Sequence, residues 1–264
     1  MNNKIGKFIL VLTTVMFYSC TSLKNTKEAE YSLLRGINLC NQGDLEGALK
    51  EYTTSYEIAP ENTVLLKEMA FVYYNFENYG KAEEFWKKAL ELSPKDDEVI
   101  KNMTTMYYQK GEFQKALEMI KTSYNPNSDY FLQIKGLIEY QNKNYEKACD
   151  YLNKIDKRNM DENTYRVYLD IINKLYDNER YYSELEKGKT LFNGQKEYTL
   201  LYAKEITERF KNFNEAEQAL LGYLITKGND NDILKILSWV YEQSGDIEKS
   251  KDTLELLESE KLPA

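Results

Sequence analysis

The chain has no histidine among its 264 residues. That removes the commonest general base and the commonest zinc ligand. A Ser-His-Asp or Cys-His site cannot be assembled within it. Cysteine is nearly as scarce: Cys20, Cys40 and Cys149 form no C-x-x-C pair, so neither a zinc knuckle nor a thioredoxin-type site is supported. Four prolines and twelve glycines are too few for a turn-rich β protein or a low-complexity chain. Positive charge is in deficit, with 35 basic against 43 acidic residues, a net charge of −8 and a pI near 5.0. An acidic chain is a poor candidate for a phosphate backbone, so no nucleic-acid partner is expected. With no metal motif and no Gly-rich phosphate loop either, the sequence reads as a non-enzyme needing no cofactor.

What is present begins with "MNNKIGKFILVLTTVMFYSC". Lys4 and Lys7 precede the apolar run Phe8 to Tyr18, and small Ser19 and Cys20 close it. The run is too short to span a bilayer, which takes about 20 residues. It suits the apolar centre of a secretory signal peptide over residues 1–19. Its end resembles a bacterial lipoprotein signal, although Phe17 replaces the usual leucine and Tyr18 is bulky. The resemblance implies that Cys20 becomes the lipidated first residue, with residues 20–28 as its tether. An ordinary signal peptide with an incidental cysteine is the alternative. Thr21 is not the aspartate that retains some lipoproteins on the inner membrane. The expected location is therefore the bacterial envelope, lipid-anchored, with the outer membrane favoured.

A repeat fills the rest. Ala48, Ala82, Ala116 and Ala148 stand 34, 34 and 32 residues apart. Each follows a large apolar residue by three positions: Leu45, Tyr79, Phe113 and Tyr145. Later units set Phe213 before Ala216 and Ile247 before Ser250. Two antiparallel helices with short turns consume roughly 34 residues, so this period signals a solenoid. Gly36, Ala70 and Gly136 are the small partners expected on the first helices. Gly43, Gly111 and Gly245 fall at the turns between helices, and Pro60 and Pro94 close second helices.

These residues resemble the tetratricopeptide repeat family. The resemblance implies an all-α solenoid of about seven antiparallel helix pairs in a right-handed superhelix. The units are 29–62, 63–96, 97–128, 129–160, a degenerate 161–196, 197–230 and 231–259, with a tail at 260–264. In the degenerate unit Glu184 stands where the alanine belongs and Gly188 where an apolar residue is expected, so this unit is expected to be sealed least well.

Tyrosine, at 23 residues, repeats with the units. Tyr73 and Tyr107 match the family's core aromatic position, as do Leu39 and Tyr241. The following residue points about 100° away, and in this family it lines the inner groove. Cys40, Tyr74, Tyr108, Tyr140, Tyr176, Glu208 and Glu242 stand there. The second tyrosine of each pair is thus surplus to the core and dispensable for folding. The four tyrosines, the polar residues after them (Asn75, Gln109, Gln141 and Asp177) and Trp239 make the expected ligand-binding groove. Trp86 is assigned to packing.

A two-carboxylate clamp of the kind some family members use is not supported. Lys67 and Asn102 match it, but Phe71, Tyr130 and Ile134 do not. "GNDND" at 228–232 lacks the spaced ligands of a calcium loop and reads as a turn. The expected function is a membrane-tethered scaffold that binds a peptide or protein segment within an envelope complex. An accessory glycan-binding lipoprotein using the tyrosines is the alternative, because aromatic platforms also suit sugars.

Overall fold

Asn and Asp residues punctuate the chain just ahead of apolar-periodic stretches, and each starts a helix. In the computed structural model, which describes residues 26–259, the side chains of Asp44, Asn62, Asn78, Asp96, Asp161, Asp177, Asn212 and Asp230 each accept a backbone N–H of the helix that follows. Such caps satisfy donors that the first turn leaves open. The helices are α1 (26–41), α2 (Leu45–Ile58), α3 (Thr63–Asn75), α4 (Tyr79–Leu92), α5 (Asp97–Gln109), α6 (Phe113–Thr122) and α7 (Asp129–Gln141). They continue as α8 (Tyr145–Leu152), α9 (Glu162–Leu175), α10 (Asn178–Leu191), α11 (Lys196–Glu208), α12 (Phe213–Lys227), α13 (Asn231–Ser244) and α14 (Ile247–Ser259). A short 3-10 turn, Lys157–Asn159, precedes α9. The fold is all-α, an α-solenoid of paired antiparallel helices, and the odd-numbered helices are the first members of each pair.

Residues 1–19, Cys20 and the tail at 260–264 lie outside the described residues. Residues 26–28, expected in the tether, are already helical. The described residues divide into two compact units, one ending at Phe131 and the other beginning at Leu132.

The alanines of the repeat are where helices meet. Ala48, Ala82, Ala116, Ala148 and Ala216 are fully buried. The small residues on first helices admit a large neighbour. A methyl group on Gly36 would lie 2.4 Å from the Tyr52 ring, and one on Gly136 would lie 2.7 Å from Leu152. In the first unit Tyr52, Trp86 and Ile120 fill successive second-helix positions and are buried. In the second unit the core runs through Leu152, Tyr165, Leu185, Tyr202, Leu220 and Tyr241.

In the degenerate pair α9–α10 the two helices approach each other less closely than in α3–α4, α5–α6, α11–α12 or α13–α14, and the contact is of a different kind. Glu184 is only 8% exposed and pairs with Lys187 at 2.8 Å. Gly188 is no gap: a methyl there would lie 1.8 Å from the Tyr198 hydroxyl and 2.7 Å from the Tyr165 ring. Both tyrosines are buried, and they donate to the main-chain carbonyls of Leu185 and Glu184 at 2.9 Å. Two tyrosines pack over this pair where a small residue, alanine or Ser250, stands in the others, and the glycine is what admits them.

Candidate functional site

The turn inside each pair places the tyrosines. The N–H of Asp44, Asn78, Glu112, Asn144 and Asp246 donates at 2.8–2.9 Å to the carbonyl five residues back, on Leu39, Tyr73, Tyr107, Glu139 and Tyr241. This is a Schellman turn, and it requires a left-handed residue just before that donor. Gly43, Gly111 and Gly245 supply it with φ of 84°, 72° and 84°. Glu77, Lys143 and Lys211 hold the same conformation at φ of 57°, 61° and 56° without being glycine.

Across this turn the second tyrosine meets the aromatic that opens the next helix. The ring centroids of Tyr74–Tyr79, Tyr108–Phe113 and Tyr140–Tyr145 lie 5.8, 5.9 and 5.9 Å apart. Tyr74 also leans on Trp86 at 5.8 Å. These tyrosines are half-buried, and their rings are engaged with their own repeats rather than standing free. Each clasps a turn, and two of them also tie first helices together. The Tyr74 hydroxyl donates to Gln109 on α5. The Tyr140 hydroxyl donates to Asp170 on α9 at 2.8 Å; that carboxylate, with burial, pushes the phenol up to about 12. Tyr73, expected in the core, is half-buried and stacks on Phe85 at 5.5 Å, whereas Tyr107 is buried.

Tyr176 and Asp177 are not placed as the pattern implied. α9 ends at Leu175 without a left-handed residue, and Tyr176 is extended at φ −131° and ψ 172°. Its hydroxyl approaches Cys149 on α8 at 3.8 Å, and the Arg180 guanidinium lies 4.0 Å from its ring centroid. Asp177 caps α10. Asn75 donates back to the Phe71 carbonyl at 2.8 Å. Gln141 is exposed, and Trp239 is half-buried against the core of the second unit. Trp86 is buried, as a packing residue should be. Asp230 caps α13 and pairs with Lys196 at 2.9 Å, so 228–230 is the connection between α12 and α13 and 231–232 open the latter helix. Among the described residues no group of three or more acidic or cysteine side chains is placed to hold a metal, and Cys40 and Cys149 are free thiols.

Each unit carries a trough along its first helices. In the first unit, Lys67, Phe71 and Tyr74 on α3 face Glu98, Asn102, Thr105 and Gln109 on α5. Lys67 bonds to Glu98 at one end and Tyr74 to Gln109 at the other. Between these ties lies a pocket of about 70 Å³ lined by Phe71, Tyr74, Trp86, Asn102 and Thr105. In the second unit a trough of about 480 Å³ runs over α7, α9 and α11 and includes Tyr140, Asn163, Arg166, Asp170, Asn173 and Glu205. The α9 members recur at steps of three, four and three residues, which is one helix face. Sequence reasoning missed them because the degenerate unit was read through Tyr176. The polar stripe on α9 was the available signal.

The paired helices, the turns and the buried small residues define a tetratricopeptide-like α-solenoid. The model of the coatomer epsilon subunit family matches residues 42–130, less than half of the chain. No curated protein matches the sequence. Among solved structures, a tetratricopeptide repeat protein from Parabacteroides merdae is 16% identical with a TM-score of 0.60, over 89% of this chain and 94% of that one. The apo form of the quorum sensor NprR from B. thuringiensis is 17% identical with a TM-score of 0.55, over 96% and 84%. MamA (41-end) from Desulfovibrio magneticus is 16% identical with a TM-score of 0.55, over 64% and 97%. At these identities the likeness is one of fold.

Proposed function

We propose that this chain is a tethered interaction scaffold that holds an extended segment of a partner protein on its first-helix faces. In this reading Cys20 carries the lipid that keeps it at a bacterial envelope membrane, the outer membrane in preference to the inner. The observation that carries the binding half is the polar stripe of α9. A carboxamide offers one donor and one acceptor, which matches the C=O and N–H of a peptide bond. Asn163 and Asn173 are separated by about 15 Å along the helix axis, the length of about five extended residues. Arg209 already donates to the side-chain Oδ1 of Asn173 at 2.5 Å, which orients the Asn173 side-chain nitrogen for a partner's carbonyl. Arg166 and Glu205 add one charge of each sign to the same trough.

The tyrosine rings support the glycan alternative less well. Tyr74, Tyr108 and Tyr140 each pack against a ring of their own repeat, Tyr79 and Trp86, Phe113 or Tyr145, which leaves less open ring for a sugar to stack on.

A random-peptide display library selected on the full chain tests this reading. Enriched peptides should bind an Asn163→Ala/Asn173→Ala protein roughly tenfold or more weakly, since each lost hydrogen bond contributes about 1 kcal/mol. No enrichment, or equal binding to the double variant, would remove the α9 trough from the proposal.

A further inference from the structure

Most second helices carry a large side chain three residues after the crossing alanine. Glu51, Phe85, Met119 and Tyr151 follow Ala48, Ala82, Ala116 and Ala148 in this way. On α12 the residue three after Ala216 is Ala219.

The pair α2 and α4 shows what the large residue does. The Phe85 ring fills the slot between these two second helices and is 7% exposed. It meets the Tyr56 ring of α2 edge-on at 5.4 Å and stacks on Tyr73 at 5.5 Å. Lys88 lies over the same ring at 5.0 Å and donates to the Tyr56 hydroxyl at 3.2 Å. The slot between α10 and α12 has a matching frame. Phe192 stands eight residues after Glu184, as Tyr56 stands eight after Ala48. The filling, however, is gone: Ala219 stands in the place of Phe85 and Gly222 in that of Lys88. A pocket of about 380 Å³ opens there, bordered by Phe192, Tyr198, Tyr202, Ala219, Gly222 and Tyr223. A methyl group on Gly222 would meet nothing within 4 Å. Ala219 and Tyr223 are half-buried and Gly222 is exposed, so all three keep surface for an entering group to cover.

The walls select the occupant. The volume falls within the range of about 300–1,000 Å³ usual for ligand pockets. Aromatic walls favour an aromatic guest, which packs edge-to-face or offset against them. At one end Lys189 donates to the Tyr202 hydroxyl at 2.9 Å, to Glu215 at 3.0 Å and to Glu186 at 3.0 Å. These three partners use the three donors of its ammonium. A carboxylate guest would find no donor left on Lys189 and two carboxylates beside it. Gln218 stands where α4 has Glu84, the ion-pair partner of Lys88, so no charge there awaits a cation. The fitting guest is an uncharged ring. Beside it lies the room that the Lys88 stem takes up on α4, enough for flanking chain atoms. Exposed Asn193 and Gln218 at the rim carry carboxamides, which match the donor and acceptor of a peptide group. We infer that this slot takes an uncharged aromatic side chain of a partner polypeptide, which supplies from outside the ring that Phe85 supplies from within. The slot shares no lining residue with the α9 trough, so the two sites stand or fall separately.

Fluorine NMR of N-acetyl-para-fluorophenylalaninamide with the full chain tests the inference. Its line should broaden saturably and sharpen again when N-acetylphenylalaninamide displaces it. N-acetylleucinamide should compete roughly tenfold less well, for want of the ring–ring contacts. N-acetylphenylalanine, with its free carboxylate, should also compete less well than the amide. Ala219→Phe and Gly222→Leu each fill the slot; both should melt no lower than the native protein and abolish the broadening. Should Ala219→Phe fail to fold, Gly222→Leu alone carries this arm. Broadening that survives the filled variants, or a leucine amide that competes equally, overturns the aromatic site. Lowered melting of both variants overturns the open slot. Para-fluorotoluene that binds as tightly as the blocked residue overturns the polypeptide as the source of the ring.

Discussion

Three residues sit in a conformation that favours glycine. Glu77, Lys143 and Lys211 occupy the left-handed turn position that Gly43, Gly111 and Gly245 occupy in the other pairs. A side chain there crowds the following carbonyl, at a cost of about 1–2 kcal/mol. Glu77→Gly and Lys143→Gly should therefore each stabilise the protein by about 1 kcal/mol, less the extra entropy glycine gives the unfolded chain. Denaturant midpoints check this; unchanged or lowered midpoints would show that the strain is relieved elsewhere. The glycines of these turns were legible in the sequence. The equivalent positions filled by Glu77 and Lys143 were not, because the turn is held by hydrogen bonds to carbonyls five residues back and these leave no trace in side-chain identity.

At the scale of helices, charge organises the α10–α12 contact. Glu215 on α12 accepts from Tyr182 at 2.9 Å and Lys189 at 3.0 Å on α10, and from Asn212 at 2.8 Å. Burial pushes its carboxyl up, but hydrogen bonds from Tyr202, Lys189 and Tyr182 outweigh burial and draw it down to about 2. The folded value lies below the unfolded one, near 4.5. The stability this group adds is thus complete above that value and lost as pH falls toward 2. Melting temperature against pH should show the loss in the native protein. Glu215→Gln should melt lower at pH 7 and lose less between pH 4.5 and 2; parallel profiles would show that the network adds no stability.

The pairing of helices was readable from alanine spacing, since a small residue at a crossing is a local requirement. The seal of α9–α10 was not. Tyr165 and Tyr198 come from two different first helices, and nothing in the spacing of either announces that they meet over Gly188. The candidate site shows the same limit. Tyr74, Tyr108 and Tyr140 were found through their repeat, but their partners were not, so a clasp across a turn was read as a free surface. Asn163, Arg166 and Asn173 went unread because the degenerate unit was entered through Tyr176, which lies beyond the end of α9.

For the whole molecule, attachment is the property the N-terminal residues bear on. The charged, apolar and small-residue order of residues 1–20 leads to a direct expectation. Mass spectrometry of the native protein should find no peptide from residues 1–19 and a lipid adduct on Cys20. Cys20→Ala should move the protein from the membrane to the soluble fraction. More than one acyl chain is needed for stable anchoring, each buried methylene contributing roughly 0.8 kcal/mol. A Cys20→Ala protein that stays membrane-bound would mean that attachment is not through lipid on this residue. The residues that line the two troughs fall between Phe71 and Glu205 in the sequence, so a Cys20→Ala protein keeps them all and tests attachment alone.

The left-handed turn also acts as a seam. Glu77 and Gly111 hold the same backbone conformation, and the residue after each makes the same bond to the carbonyl five positions back. A cut after one and a join after the other leaves every turn intact and removes one whole helix pair. The chain can therefore gain or lose length by duplication or deletion in whole-pair steps, with no loop to redesign. The identity of whatever fills each trough can change pair by pair while the joints stay the same.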